Sequence, residues 1–188
     1  MKRDKFLLAM LAATASPLFA SPRCKKISLR DNTGFIVKAG EARSKKHFQL
    51  KGVNSNVIDV KISGDDTDGD LFVFEQTSLS QGKGTPLHMH PFQDEIFCVL
   101  DGEYYFQVGE AKHRLYKGDS IFLPRKVPHS WTQVSEKGKM NVIMQPAGKL
   151  ENFFNSLATL KNEPTKEEVI KIFAENDMTV VGPPLKII

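Results

Sequence analysis

The chain has 188 residues, of which 40% are hydrophobic and 26% charged, the balance of a globular domain large enough to bury a core without disulfide staples. Half of its formal charge of +4 lies in the first twenty residues, and the remaining lysines and arginines are scattered among acids, which excludes a basic nucleic-acid-binding face. The two cysteines sit in unlike settings and exclude a disulfide framework.

Residues 1–20 read as an export signal. Lys2, Arg3 and Lys5 form a positive end, Phe6 to Ala15 is an apolar run, and Ala20 is a small residue at which cleavage could occur. The run falls short of the ~20 residues of a membrane span. No stable span is therefore expected after its removal, and the mature chain is expected in the periplasm or outside the cell. Asp4 stands where a twin-arginine leader would carry its second arginine, which favours the general secretory route. The bland alternative is an uncleaved amphipathic helix. Cys24 follows in Ser-Pro-Arg-Cys, which lacks the small apolar residues of a lipoprotein box.

From Gly34 to Ala147 short strands alternate with tight turns. Val57–Ile62 alternates apolar and polar residues, and the run Asp70–Glu75 is a second strand preceded by the acidic turn Asp65–Asp70. That turn lacks the later bidentate glutamate of a calcium loop and reads as a solvated turn. Gln81–Pro86 is a loop. Glu95–Leu100 and Tyr104–Val108 are strands joined by Asp101-Gly102, a hairpin signal. Gly109-Glu110 and Lys117-Gly118-Asp119 turn the chain again, and Met140–Gln145 is the last strand expected. Many short strands at this spacing predict an all-β sandwich or closed barrel over 34–150.

The character changes after Pro146. Phe153, Phe154, Leu157 and Leu160 fall at helical spacing. Thr165-Lys-Glu-Glu168 is a capping box opening a second helix to about Glu175, with Val169, Ile170 and Phe173 as its buried stripe. Residues 151–188 are thus a helical tail that packs on the barrel or covers one of its mouths.

Chemistry concentrates in His88-x-His90, Glu95 and His129. Pro86 and Pro91 flank the histidine pair and disfavour a helix, and in a strand residues two apart share a face. Glu95 opens a strand, and His129 lies in Pro128-His129-Ser130-Trp131 beside another. A single histidine is ordinarily a surface or hydrogen-bonded core residue; three in these contexts favour a metal site. Three imidazoles and one carboxylate suit one divalent transition metal: manganese, iron, nickel, cobalt, copper or zinc. His47, after a lysine pair, and His113, between Lys112 and Arg114, read as surface residues.

The pattern Gly82-x5-His88-x-His90-x4-Glu95-x6-Gly102 resembles the first cupin motif at every defined position. Gly118-x5-Pro124-x-Lys126-x2-His129-x3-Gln133 resembles the second, with Lys126 in place of the usual glycine and Gln133 in place of the usual asparagine. Neither is a ligand position; they touch a turn and a supporting hydrogen bond. Val60–Asp70, Phe122–Arg125 and Gly182–Leu185 look like the single-domain cupins grouped with quercetin 2,3-dioxygenase. The resemblance implies an all-β cupin jelly-roll barrel with a short C-terminal helical tail, and a fold alone does not choose the reaction.

Strand alternation places Phe97 and Val99 inward with Glu95, and Trp131 and Gln133 inward with His129. Ile96, Cys98 and Leu100 take the opposite face, which must be covered by a strand, the tail or a second subunit, as in a homodimer. Cys98 is expected as an inert core thiol. Phe92, Phe97 and Trp131 are candidate walls of a small-molecule site, with core packing the competing reading. The resemblance implies a dioxygenase acting on a flavonol-like or enolisable compound, with dioxygen as a partner and Glu95 both as ligand and as proton shuttle. Two other readings stay open: a redox-inert metallocupin isomerase or lyase, and a metal-assisted small-molecule binding protein.

Overall fold

The structure, a computed structural model, describes residues 33–187. The leader expected at 1–20 and Cys24 lie outside the described residues. Among the described residues, eleven strands form two antiparallel sheets that face each other. Strands β1 (His47–Gln49), β2 (Val57–Ile62), β3 (Phe72–Ser78), β5 (Asp94–Asp101), β8 (Ser120–Leu123) and β10 (Gly138–Gln145) make a six-stranded sheet in the order β1-β2-β3-β10-β5-β8. Strands β4 (Pro86–Met89), β6 (Glu103–Val108), β7 (Ala111–Tyr116), β9 (His129–Gln133) and β11 (Thr179–Pro184) make the second sheet in the order β11-β4-β9-β6-β7.

Alternation builds the core. On β3, Phe72, Phe74, Gln76 and Ser78 are buried while the residues between them are half-buried; on β10, Met140, Val142 and Met144 are fully buried. Phe97 of β5 meets Phe106 of β6 edge-on, with centroids 5.2 Å apart, joining the sheets. Each buried Phe, Met or Val of this core contributes roughly 1.5–3 kcal/mol by leaving water.

The expected turn at Asp101-Gly102 is present, but it does not make a hairpin. Both edges of β5 are already taken, by β10 and β8, so the chain crosses to the other sheet and β6 pairs with β7 and β9 instead. Gly102 takes φ 84° there, and an added Cβ would stand 2.5 Å from Ser135 Oγ. The hairpin at Gly109-Glu110 is a true one, with Val108 opposite Ala111.

The tail is helical first and then extended. Helix α1 (Leu150–Ala158) buries Phe153, Phe154 and Leu157, and helix α2 (Lys166–Glu175) opens with the capping box of Thr165 and Glu168. In α2 the inward stripe is buried Phe173 with half-buried Val169 and Ile172, continued by buried Asn176 at the C-cap, at intervals of three and four. Ile170, expected in that stripe, lies about 100° round the helix from Val169 and is 49% exposed. The chain then returns as β11, paired with β4, a strand unforeseen in the Gly-Pro-Pro-containing tail.

The outer face of β5 differs from expectation. Ile96 and Leu100 are exposed, Cys98 is only half-buried, and neighbouring Phe122 is exposed. No strand or helix among the described residues covers that face. Asp66, in the acidic turn, is tied to Arg43 at 2.7 Å rather than merely solvated.

Candidate metal centre

Both sheets contribute to one cluster. His88 on β4 and His129 on β9 are direct register partners, His90 follows the end of β4, and Glu95 reaches in from β5 of the opposite sheet. All four are buried, and one donor atom from each lies within 4.8 Å of every other. The ring centroids are 4.6 Å apart for His88 and His129, 5.2 Å for His88 and His90, and 5.4 Å for His90 and His129.

The hydrogen bonds around the rings aim them. Nδ1 of His88 lies 2.8 Å from the Pro86 carbonyl, and Nδ1 of His129 lies 3.0 Å from the Val127 carbonyl, two residues back in each case. A carbonyl only accepts, so each Nδ1 carries the proton and each Nε2 keeps its lone pair. For His90, the backbone carbonyl is held by the Lys126 amide at 2.8 Å. Lys126 adopts φ 66°, the left-handed turn conformation that glycine takes most readily.

Nε2 of His90 and Nε2 of His129 are buried without any hydrogen-bond partner. Glu95 is near both, at 3.7 Å from His90 Nε2 and 3.0 Å from His129 Nε2, yet neither contact makes a hydrogen bond. Orphaned buried nitrogens beside a carboxylate are costly in a protein interior. A divalent transition metal would satisfy them together, and His88, His90, Glu95 and His129 could hold one.

The electrostatics suit that state. Burial, reinforced by the His129 and His90 rings, holds His88 well below its ordinary 6.5. Burial also lowers His90, against the opposing pull of Glu95. For Glu95 burial works upward, but His90, then His129 and His88, outweigh it and bring the carboxyl down to about 2. Neutral imidazoles and an ionised carboxylate are the forms that bind metal.

His88, His90 and Glu95 border a cavity of about 50 Å³. Phe97 and Trp131 are among its walls, each nearly fully buried. Phe92 is elsewhere, in the loop between β4 and β5 and 59% exposed. Phe74 of β3 is a further aromatic wall, and three more are ones that strand periodicity could not supply: Phe153 and Phe154 from α1 and Phe173 from α2. The Phe173 ring meets His88 edge-on at 5.3 Å and Phe153 at 4.7 Å. The amphipathic stripes of the two helices are the only signal of it in the sequence. His47 and His113 are exposed and apart from the cluster, His47 pairing with Asp59 at 2.6 Å.

Comparison with known proteins agrees with this architecture. Residues 75–145 match the cupin domain family. Over 72 residues the chain is 32% identical to a quercetin 2,3-dioxygenase of Bacillus subtilis, covering 38% of this chain and 21% of that one. Over 48 residues it is 38% identical to an uncharacterized protein of Methanocaldococcus jannaschii, covering 26% of this chain and 38% of that one. The chain thus spans about a fifth and under two fifths of the lengths of these relatives. Among solved structures, KdgF from a Halomonas species superposes with TM-score 0.51 at 17% identity, over 61% of this chain and 94% of that one. A predicted oxalate decarboxylase from Thermotoga maritima superposes with TM-score 0.52 at 16% identity, over 60% and 99%. At such identities the superpositions speak for the fold.

Proposed function

We propose that this cupin, whose two sheets bring three imidazoles and a carboxylate to one buried point, is a metal-dependent dioxygenase acting on a small, enolisable, oxygenated compound. The observation that carries the reading is the pair of orphaned nitrogens on His90 and His129 turned toward Glu95 beside an apolar cavity. The partial similarity to a quercetin 2,3-dioxygenase supports the reaction class.

When bound, the metal would supply positive charge that acidifies a substrate hydroxyl, and redox chemistry toward dioxygen. The protein's part is orientation, dryness and one proton. His88, His90 and His129 hold their lone pairs inward through the carbonyl bonds and packing described above. Glu95 is the one member of the set with an oxygen able to take up the hydroxyl proton of an enol. Phe97, Trp131 and Phe173 exclude bulk water and keep the site in a low dielectric.

The size of the cavity supports one of the two substrate forms suggested by the sequence over the other. A dry cavity of about 150 Å³ is what holds a benzene ring, and the space here is about a third of that. The small enolisable compound fits this reading better than a flavonol. On the strength of residues 1–20 the place of work would be the periplasm or the extracellular space.

The test is dioxygen uptake by protein loaded in turn with manganese, iron, nickel, cobalt, copper or zinc, offered a panel of α-hydroxyketones, β-diketones and flavonols. Metal-dependent uptake that is abolished in His88→Ala is the expected result. Absence of uptake across the panel with every metal would overturn the reaction class.

A further inference from the structure

The tail does more than complete the core. The segment that matches the cupin family ends at residue 145, and α1 and α2 come after it. Their aromatic side chains nevertheless form one wall of the cavity at the cluster. Phe173 is 1% exposed and stands between His88 on one side and Phe153 on the other, edge-on to both. Phe153 in turn packs on Phe154, which meets Phe74 of the barrel edge-on at 4.9 Å. A chain of rings therefore runs from the barrel wall, through both helices, to a histidine of the cluster.

We infer that Phe173, braced by Phe153, is the size-determining wall of the site and restricts it to non-aromatic molecules of a few heavy atoms. The inference rests on the reading of the cluster as a substrate site, and it narrows the substrate class. A space of about 50 Å³ accommodates on the order of four water-sized centres, whereas a single six-membered ring calls for about 150 Å³. Packed interiors yield little, so enlarging the space on this side requires the Phe173 ring or α2 to move aside. The wall belongs to a two-helix appendage. Substrate size is thus set by an element that the barrel's own strands do not specify.

The chain contains one tryptophan, Trp131, and it lines the same cavity at 3% exposure. Its fluorescence reports access to the site without any need for turnover. In full-length protein, metal-free and zinc-loaded, dioxygen should quench Trp131 while the larger quencher acrylamide should not. In Phe173→Ala the acrylamide quenching constant should rise roughly fivefold as the buried ring is replaced by a hole. Ile170→Ala, on the exposed side of the same helix, should leave it unchanged.

A general loosening of the barrel would also expose Trp131, and cyclohexanol separates the two causes. It is a six-membered oxygenated ring that should bind the new hole saturably, raising Tm of Phe173→Ala by about 3 °C near ten times Kd. Wild type and Ile170→Ala should not respond. Phe173→Leu, which keeps an apolar side chain, should show both effects at smaller size and serves if the alanine variant does not fold. Equal stabilisation of wild type by cyclohexanol, or unchanged quenching and no stabilisation in the Phe173 variants, would overturn the inference. Failure of oxygen uptake would leave these readings untouched, because neither depends on catalysis.

Discussion

His88 and His129 are register partners where β4 meets β9, and their rings lie 4.6 Å apart on the inner face of the sheet. Backbone pairing, not a loop, sets the distance between two members of the cluster. Sites placed on strands hold their geometry more closely than sites on loops. His90, one residue past β4, depends instead on the Lys126 amide and the turn that presents it.

Alanine at His88, His90 or His129 should reduce metal content to background by elemental analysis. Metal present at a hundred times its Kd should stabilise wild type by about 2.7 kcal/mol, a gain read from denaturant unfolding with and without metal. The three variants should show none of it. Equal metal content in wild type and all three would end the metal reading.

Acid should destabilise the metal-free protein through His88, His90 and Glu95. His88 and His90 take up protons less readily when folded than at the ordinary 6.5 of an exposed histidine. Below pH 6.5 the unfolded chain therefore binds more protons, and stability falls as pH falls. Glu95 adds to this: its contribution is complete above its ordinary 4.5 and is lost as pH drops toward about 2. Urea midpoints at pH 7, 6, 5 and 4 should decline steadily in wild type. A midpoint that stays flat from pH 7 to 4 would contradict the lowered proton affinity of buried His88 and His90.

Lys126→Gly should stabilise the protein. A non-glycine residue in the left-handed region carries roughly 1–2 kcal/mol of strain, partly offset by the greater chain entropy that glycine loses on folding. The net gain should be about 0.5–1 kcal/mol, with Lys126→Ala near neutral. Metal content should not change, since the amide that holds His90 remains.

Gln133 should be a stability residue. It is fully buried, its Oε1 accepts from the Ser80 amide at 2.8 Å, and its Nε2 donates to the carbonyls of Ser135 at 2.9 Å and Glu136 at 3.0 Å. Gln133→Ala strands those groups and should cost about 2–4 kcal/mol in denaturant unfolding. Gln133→Asn, a methylene shorter, should lose less.

Much of the site is legible in the sequence alone. His88-x-His90 and Glu95 can be assigned to inner faces because strand side chains alternate with a period of two. That period also places Phe97 and Trp131 inward, and both line the cavity at the cluster. The capping box at Thr165 and Glu168 marks the start of α2, because it is a contact between residues three apart. Pairing partners are not legible. Asp101-Gly102 has the chemistry of a hairpin, but whether β6 lies beside β5 depends on which strands already occupy the edges of β5. Strand β11 escapes a local reading for the same reason, since Gly182, Pro183 and Pro184 weaken its strand signal and only the free edge of β4 accounts for it.

Residue spacing by itself determined that this is a β-barrel carrying three histidines and a glutamate on inward faces, because local alternation depends on nothing beyond the strand. Only the tertiary structure decided that Phe173 stands against His88, that Phe92 faces solvent, and that the outer face of β5 is open. Those outcomes turn on how distant segments pack across the two sheets, and no short window of sequence holds both partners of such a contact.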